Sequence, residues 1–212
     1  MKDFLLTVDS KEKRCAVMRH GRLVDLNIER ETGHQLTGNI YRGRVTNILH
    51  NIQSAFIDIG EGESGFIHIS DIIENTQKFQ EMFDMEFDLD YDLKSIDKKA
   101  AATTDISKLL KPDQTVLVQV VKEPIGSKGA RLTSNITIPG RYLVLLPNAP
   151  HRGVSRKVQE RGDRERLKKI IRSFEMPKEM GLICRTSSIT AKPEALIQEA
   201  NELIETWNGI VS

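Results

Sequence analysis

The sequence predicts a mixed α+β chain, with β-structure first and helices last. Short runs with apolar and polar residues alternating, broken by turn residues, dominate residues 1–135. Helical spacing appears only after residue 160, in two runs that alternate with short apolar strands. The chain has 212 residues, 39% of them hydrophobic. That allows one large domain or two or three small ones, and it excludes a wholly disordered chain.

Taken in order, residues 1–28 read as three short strands, FLLTV, RCAVMR and RLVDLNI, separated by the turns DSKEK and HG. A three-strand meander of this size has little core of its own, so it needs something to pack on. Residues 36–135 supply five more strand runs: GNIYRGRVTNIL, SAFIDIG, SGFIHIS, QTVLVQVVKE and ARLTSNI. Five strands with a glycine-rich start predict an OB-type barrel. An insertion at 71–113 interrupts it. Its segment 80–92 carries Glu81, Asp84, Glu86, Asp88, Asp90 and Asp92 and no basic residue. A loop of that length is functional or disordered, and its charge directs it away from any nucleic-acid face.

Residues 136–212 read as a small α/β domain. RYLVLLP is a buried strand, PNAPHRGVSRK a basic loop and GLICRT a second strand. Between the loop and the second strand, Leu167, Ile170, Ile171 and Phe174 fall at i, i+3, i+4 and i+7, one helical face, with Asp163 as the expected N-cap. The last helix starts at Pro193, carries Leu196, Ile197, Ala200, Leu203, Ile204 and Trp207 as its stripe, and stops at Gly209. Strand, helix, strand, helix makes one α/β layer. The predicted domains are 1–35, 36–135 and 136–212.

Net charge is only +1, so bulk charge names no partner. The charge is segregated, however. Residues 122–172 hold thirteen Lys and Arg against four acids. Such a section is either a polyanion-binding face or a solvated helix surface. No apolar run reaches the roughly 18–20 residues of a membrane span, and the N-terminal apolar stretch is too short for a signal peptide. Cys15 and Cys184 stand in no metal or redox spacing. A cytoplasmic protein without a disulfide framework is expected. The alternating acids at 84–92 lack the spacing of an EF-hand and read as a solvated loop rather than a Mg²⁺ or Ca²⁺ site. Gly126–Gly129 looks like a phosphate loop but has no helix after it.

The barrel carries the most interpretable side chains. His68 lies two residues beyond Phe66 and shares its face. Phe56 lies on the neighbouring strand, and Tyr41, Arg42 and Arg44 lie on the first. Exposed aromatics interleaved with cations stack bases and neutralise phosphates. The competing reading puts both phenylalanines in the barrel core and leaves His68 an ordinary polar surface residue.

The stretch GNIYRGRVTNILHNIQSAFIDIGEGESGFIHISDI resembles the RNA-binding OB fold of the ribosomal S-one type. In the version it resembles, that of the ribonuclease E/G family of bacterial endoribonucleases, N-I-Y-x-G-x-V and A-F-x-D-x-G recur together. The resemblance continues through K-G-A-x-L-T at 128–133, P-G-R-Y-L-V-L-L-P-N at 139–148, V-S-R-K at 154–157 and G-L-I-C-R-T at 181–186. It covers nearly the whole chain apart from the insertion. It implies that Phe56, Phe66 and Lys128 grip single-stranded RNA, with His68 at a position where the family is not uniform; Arg42 and Arg44 join them on the cation pattern of the first strand. It implies a 5′ sensor preferring a 5′-monophosphate, with Arg185 and Thr186 on the phosphate, Gly140 offering a backbone N–H, Val144 lining the pocket and Arg156 close by. The meander at 1–35 resembles part of an RNase-H-like subdomain.

The family's Mg²⁺-holding carboxylates and its structural Zn²⁺ motif follow the sensor segment, and its full-length members form homo-oligomers. The chain stops at Ser212. It is therefore expected to hold no catalytic residue, metal or cofactor of its own, and to bind RNA without cutting it. The parent enzyme would cleave single-stranded RNA in RNA decay and ribosomal RNA processing. A stand-alone, non-catalytic RNA-binding or regulatory module is the alternative. A phosphate-binding module unrelated to RNA is a third reading.

Overall fold

The structure, a computed structural model, describes residues 2–30, 35–72, 85–87 and 105–212. Most of the acidic segment and its expected orientation lie outside these residues. The chain divides into two compact units between Leu36 and Thr37.

The first unit is an antiparallel sheet in the order β1 (Lys2–Val8), β2 (Glu12–Arg19), β3 (Arg22–Arg30). His20 and Gly21 both adopt positive φ, which turns β2 tightly into β3. Phe4 lies opposite Val17 and Leu6 opposite Cys15, while Leu5 lies opposite Ala16, itself opposite Leu26. Apolar residues therefore occupy both faces. Phe4 is 63% and Leu6 69% exposed, so this sheet has no core of its own.

The second unit opens with the expected barrel. Strands β4 (Ile40–Leu49), β5 (Ser54–Asp58) and β6 (Gly65–His68) come first. A short strand from the insertion, β7 (Met85–Phe87), joins a different sheet. Then β8 (Thr115–Lys122) and β9 (Arg131–Thr133) complete a closed barrel in the order β4-β5-β6-β9-β8. Val45, Ala55, Ile57, Ile67, Val118 and Leu132 are buried, because alternate residues of each strand point inward. Gly129 explains the K-G-A motif. A Cβ there would sit 1.9 Å from the carbonyl oxygen of Ser64, so only glycine lets the two backbones meet.

The rest is an α/β layer. Its sheet contains β10 (Ile138–Pro139), β11 (Leu143–Leu146), β12 (Arg152–Ser155) and β13 (Gly181–Cys184), in the order β10-β11-β13-β12-β7. Only β12 and β13 run parallel. Helix α1 (Arg161–Arg172) connects them, and α2 (Pro193–Val211) follows. Leu143, Leu145, Val154, Leu182 and Cys184 pack with Leu167 and Ile171 of α1 and Leu196, Ala200 and Leu203 of α2. Val144, Leu146, Ala149 and Ile183 form a smaller separate cluster. The side chain of Gln119 ties barrel to layer, bonding Gly38 O, Thr137 O and Thr137 N.

Several local expectations need correction. Asp163 is not the N-cap; α1 starts at Arg161 after Glu160, and Asp163 sits in the first turn, 3.7 Å from Arg166. There its charge faces the positive end of the helix dipole. Gly209 does not stop α2, which runs on to Val211. Ile197, expected in the stripe, is 46% exposed. The insertion contributes β7, whose Glu86 lies opposite Val154 on the edge of the second sheet.

Candidate nucleic-acid interface

On the barrel, neighbouring strands line up a row of side chains. Asn47 lies opposite Phe56, Phe56 opposite Phe66, Phe66 opposite Arg131 and Arg131 opposite Lys122. Phe56 and Phe66 are half-buried, whereas the flanking Ala55, Ile57 and Ile67 point into the core. The two rings meet edge to face, with centroids 6.0 Å apart. Arg44, opposite Asp58, is exposed, 3.9 Å from Asp113, and Arg42 is exposed further along β4. The outer face thus presents an aromatic pair with cations on both sides, which is the composition of a stacking platform.

His68 has a local structural task as well. Its Nδ1 accepts from the Ser70 N–H at 3.2 Å and lies 2.8 Å from Ser70 Oγ, capping the 3-10 turn Ile69–Asp71. In the neutral ring the proton then sits on Nε2. Lys128 is exposed in a tight turn whose backbone is closed by reciprocal bonds with Ile125.

A second group converges at one edge of the α/β sheet. The parallel strands β12 and β13 end together at Ser155 and Cys184, and the antiparallel β11 begins beside them. Arg156 and Arg185 therefore leave the sheet at the same edge as Gly140 and Arg141 enter it. The Arg185 side chain is exposed, and its Nη1 donates to Gly140 O at 2.5 Å. Thr186, also exposed, opens a 3-10 turn. Ser187 Oγ donates to Arg141 O and Ser188 Oγ to Tyr142 O.

Two expected members of this group are engaged elsewhere. The Gly140 N–H donates to Leu143 O at 2.8 Å and is not open to a ligand. Val144, 5% exposed, packs with Ile183, Leu146 and Ala149. The basic section divides between the two readings offered for it. Arg152 Nη1 donates to Ile171 O and Arg172 O, Arg164 Nη1 to Ser155 O and Val158 O, and Arg166 Nη2 to Ile189 O. Arg152 and Arg164 dock α1 against β12 and the loop after it, and Arg166 ties α1 to the 3-10 turn Thr186–Thr190. Arg156, Arg161, Lys169 and Arg172 are exposed. Cys184 is fully buried, and that burial pushes its thiol up to about 12 against the opposing pull of Ser188 and Arg166. Among the described residues no group of three or more His, Cys, Asp or Glu fits a metal ion. No described helix is long and apolar enough to cross a membrane.

Comparison with known proteins finds two family matches along the chain. Residues 35–132 match the S1 RNA binding domain, and residues 137–212 match the Ribonuclease E/G family. The Ribonuclease G of Salmonella typhimurium is 37% identical over 209 residues, 99% of this chain and 40% of that protein. The Ribonuclease G of Haemophilus influenzae gives the same figures. The Ribonuclease E of Nostoc sp. is 39% identical over 206 residues, 97% of this chain and 26% of its own length. The chain carries a ribonuclease E/G family domain behind an S1 domain.

The chain spans about 40% of the length of the Ribonuclease G relatives it matches. Its structure adds residues that sequence reading passed over. Arg131 completes the barrel row and is held by Asp71, 3.1 Å away. Arg141 is exposed at the sheet edge, its guanidinium 5.0 Å above the Tyr142 ring. Glu199 of α2 accepts from the N–H groups of Arg141, Tyr142 and Leu143 at 2.7, 2.8 and 2.7 Å. Arg131 and Arg141 were visible as cations inside or beside quoted motifs. Glu199 left no signal in the sequence, lying 56 to 58 residues from its partners.

Proposed function

We propose that this chain binds single-stranded RNA on the outer barrel face and recognises a 5′-monophosphate at the sheet edge. Bases stack on Phe56 and Phe66, while Arg131, Lys122, Arg42, Arg44 and Lys128 neutralise phosphates and His68 donates from Nε2. The observation that carries the sensing part is the exposed Arg185 guanidinium, oriented by Gly140 O and followed by the exposed Thr186. One N–H holds the fork in place and the remaining donors stay available to a phosphate dianion. Arg156 and Arg141 add positive charge at the same edge. Gly140 acts through its carbonyl rather than its N–H, and Val144 supports the edge from below.

The whole protein is proposed to be an endoribonuclease that cleaves single-stranded RNA in RNA decay and ribosomal RNA processing, acting in the cytoplasm as a homo-oligomer. The described residues do not fit the family's Mg²⁺ or Zn²⁺, and no step proposed here runs through either ion. The β1–β3 sheet is proposed to be one layer of an RNase-H-like subdomain, since apolar side chains on both its faces call for a covering layer on each.

The test is fluorescence anisotropy with a short single-stranded RNA carrying a 5′-monophosphate or a 5′-hydroxyl. The chain should prefer the monophosphate. Arg185→Ala should weaken that RNA by about 1.5–3 kcal/mol and leave the hydroxyl-ended RNA nearly unchanged. Equal losses on both RNAs would remove Arg185 from sensing. Phe56→Ala should weaken both equally, by about 1–3 kcal/mol per stacked base.

A further inference from the structure

We propose that Glu199 is the positioning residue of the 5′-phosphate site, an inference that rests on the reading of Arg185 above. The segment Gly140–Leu143 is clamped from two sides. Its N–H groups at Arg141, Tyr142 and Leu143 all donate to the Glu199 carboxylate, at 2.7–2.8 Å. Its carbonyls at Gly140, Arg141 and Tyr142 accept from Arg185 Nη1, Ser187 Oγ and Ser188 Oγ, and Tyr142 O also accepts from the Arg185 N–H at 2.8 Å. The Arg185 guanidinium is thus aimed by a carbonyl whose own position depends on a carboxylate one residue along.

The chemistry favours a dedicated role for this carboxylate. Three successive backbone N–H groups form a concave anion site. Such a concavity can take a ligand anion; here an internal carboxylate fills it with charge-assisted bonds. The segment therefore offers a phosphate no N–H at these positions, and recognition passes to the side chains it holds. Gly140 supplies the space. A Cβ at Gly140 would lie 2.8 Å from Glu199 Cδ and 3.0 Å from both carboxylate oxygens. The glycine of the P-G-R-Y motif is therefore needed where Glu199 comes in, although its φ is not in the left-handed region.

Two variants test this from opposite sides of one contact. Glu199→Gln keeps the shape but turns an amide NH₂ toward backbone donors. Gly140→Ala keeps the carboxylate but displaces it. The readout is the ratio of affinities for 5′-monophosphate and 5′-hydroxyl RNA, with the melting temperature measured alongside. A purely structural role would lower both affinities together or lower only the melting temperature. The proposal expects each variant to cut the ratio at least fivefold while hydroxyl-ended RNA, held by the barrel, binds as in the parent chain. If Arg185→Ala abolishes the preference and both variants keep it, the positioning role fails and the sensor reading stands. If the parent chain shows no preference, the sensor reading fails and takes this proposal with it.

Discussion

At the scale of single residues, position relative to the sheet separates chemistry from structure. Cys184 and Arg185 are neighbours, yet alternation turns one into the core and the other to solvent. With its thiol pushed up to about 12, Cys184 is roughly one part in ten thousand thiolate at pH 8. Iodoacetamide at that pH should label the native chain once, at the half-buried Cys15; a second label appearing at the same rate would contradict the buried placement. Asp105 shows the opposite shift. The hydroxyl and N–H of Ser107 hold its carboxyl at about 2, below its ordinary value of 3.8. A depressed carboxylate stabilises the fold above its unfolded value and loses that contribution as pH falls through the folded one. The melting temperatures of the parent chain and Asp105→Asn should therefore differ above pH 4 and converge as pH falls toward 2. A constant gap down to pH 2 would remove Asp105 from the acid response.

At the scale of elements, the sharpest consequences concern motif glycines. Gly129→Ala must push the approach to β9 away from the Ser64 backbone that leads into β6, and backbone has no flexible end to yield. Overpacking of this kind costs about 1–3 kcal/mol, so the barrel should melt several degrees lower. Gly162→Ala is the control. Nothing lies within 4 Å of its Cβ position in the first turns of α1, and alanine should be neutral or stabilise by about 0.5–1 kcal/mol. Equal effects would mean that close approach does not explain the K-G-A motif. All five barrel runs were legible because a period of two and glycine turns are local signals. The helix ends were less so. Asp163 and Gly209 have the right chemistry for caps, but docking by Arg152 and Arg164 holds the two ends of α1, and α2 runs past Gly209 through exposed residues to Val211. Strand β7 and the Glu199 contact depend on partners more than fifty residues away, and no periodicity records those.

At the scale of the whole molecule, the two compact units differ in how they are stabilised. Every described residue of β1–β3 whose exposure is defined is at least partly exposed, while Thr37–Ser212 contains both hydrophobic clusters of the α/β layer and the closed barrel. A three-stranded sheet without a core of its own is marginal in water, and its backbone hydrogen bonds open at little cost. The free energy of the cooperative transition therefore resides outside β1–β3. Removing residues 1–34, which keeps the buried Leu36, should leave the melting temperature within about 2 °C, the scale of a change under 1 kcal/mol for a chain of this size. The affinity ratio for the two RNA ends should also stay the same. Amide exchange should read the same asymmetry in the intact chain, with β1–β3 exchanging long before β11 and β13. A fall of ten degrees on truncation, or slow exchange in β1–β3, would mean that the meander shares the core of the second unit after all. In that case the apolar pairs Phe4–Val17 and Leu5–Ala16 would have to be buried in the intact chain.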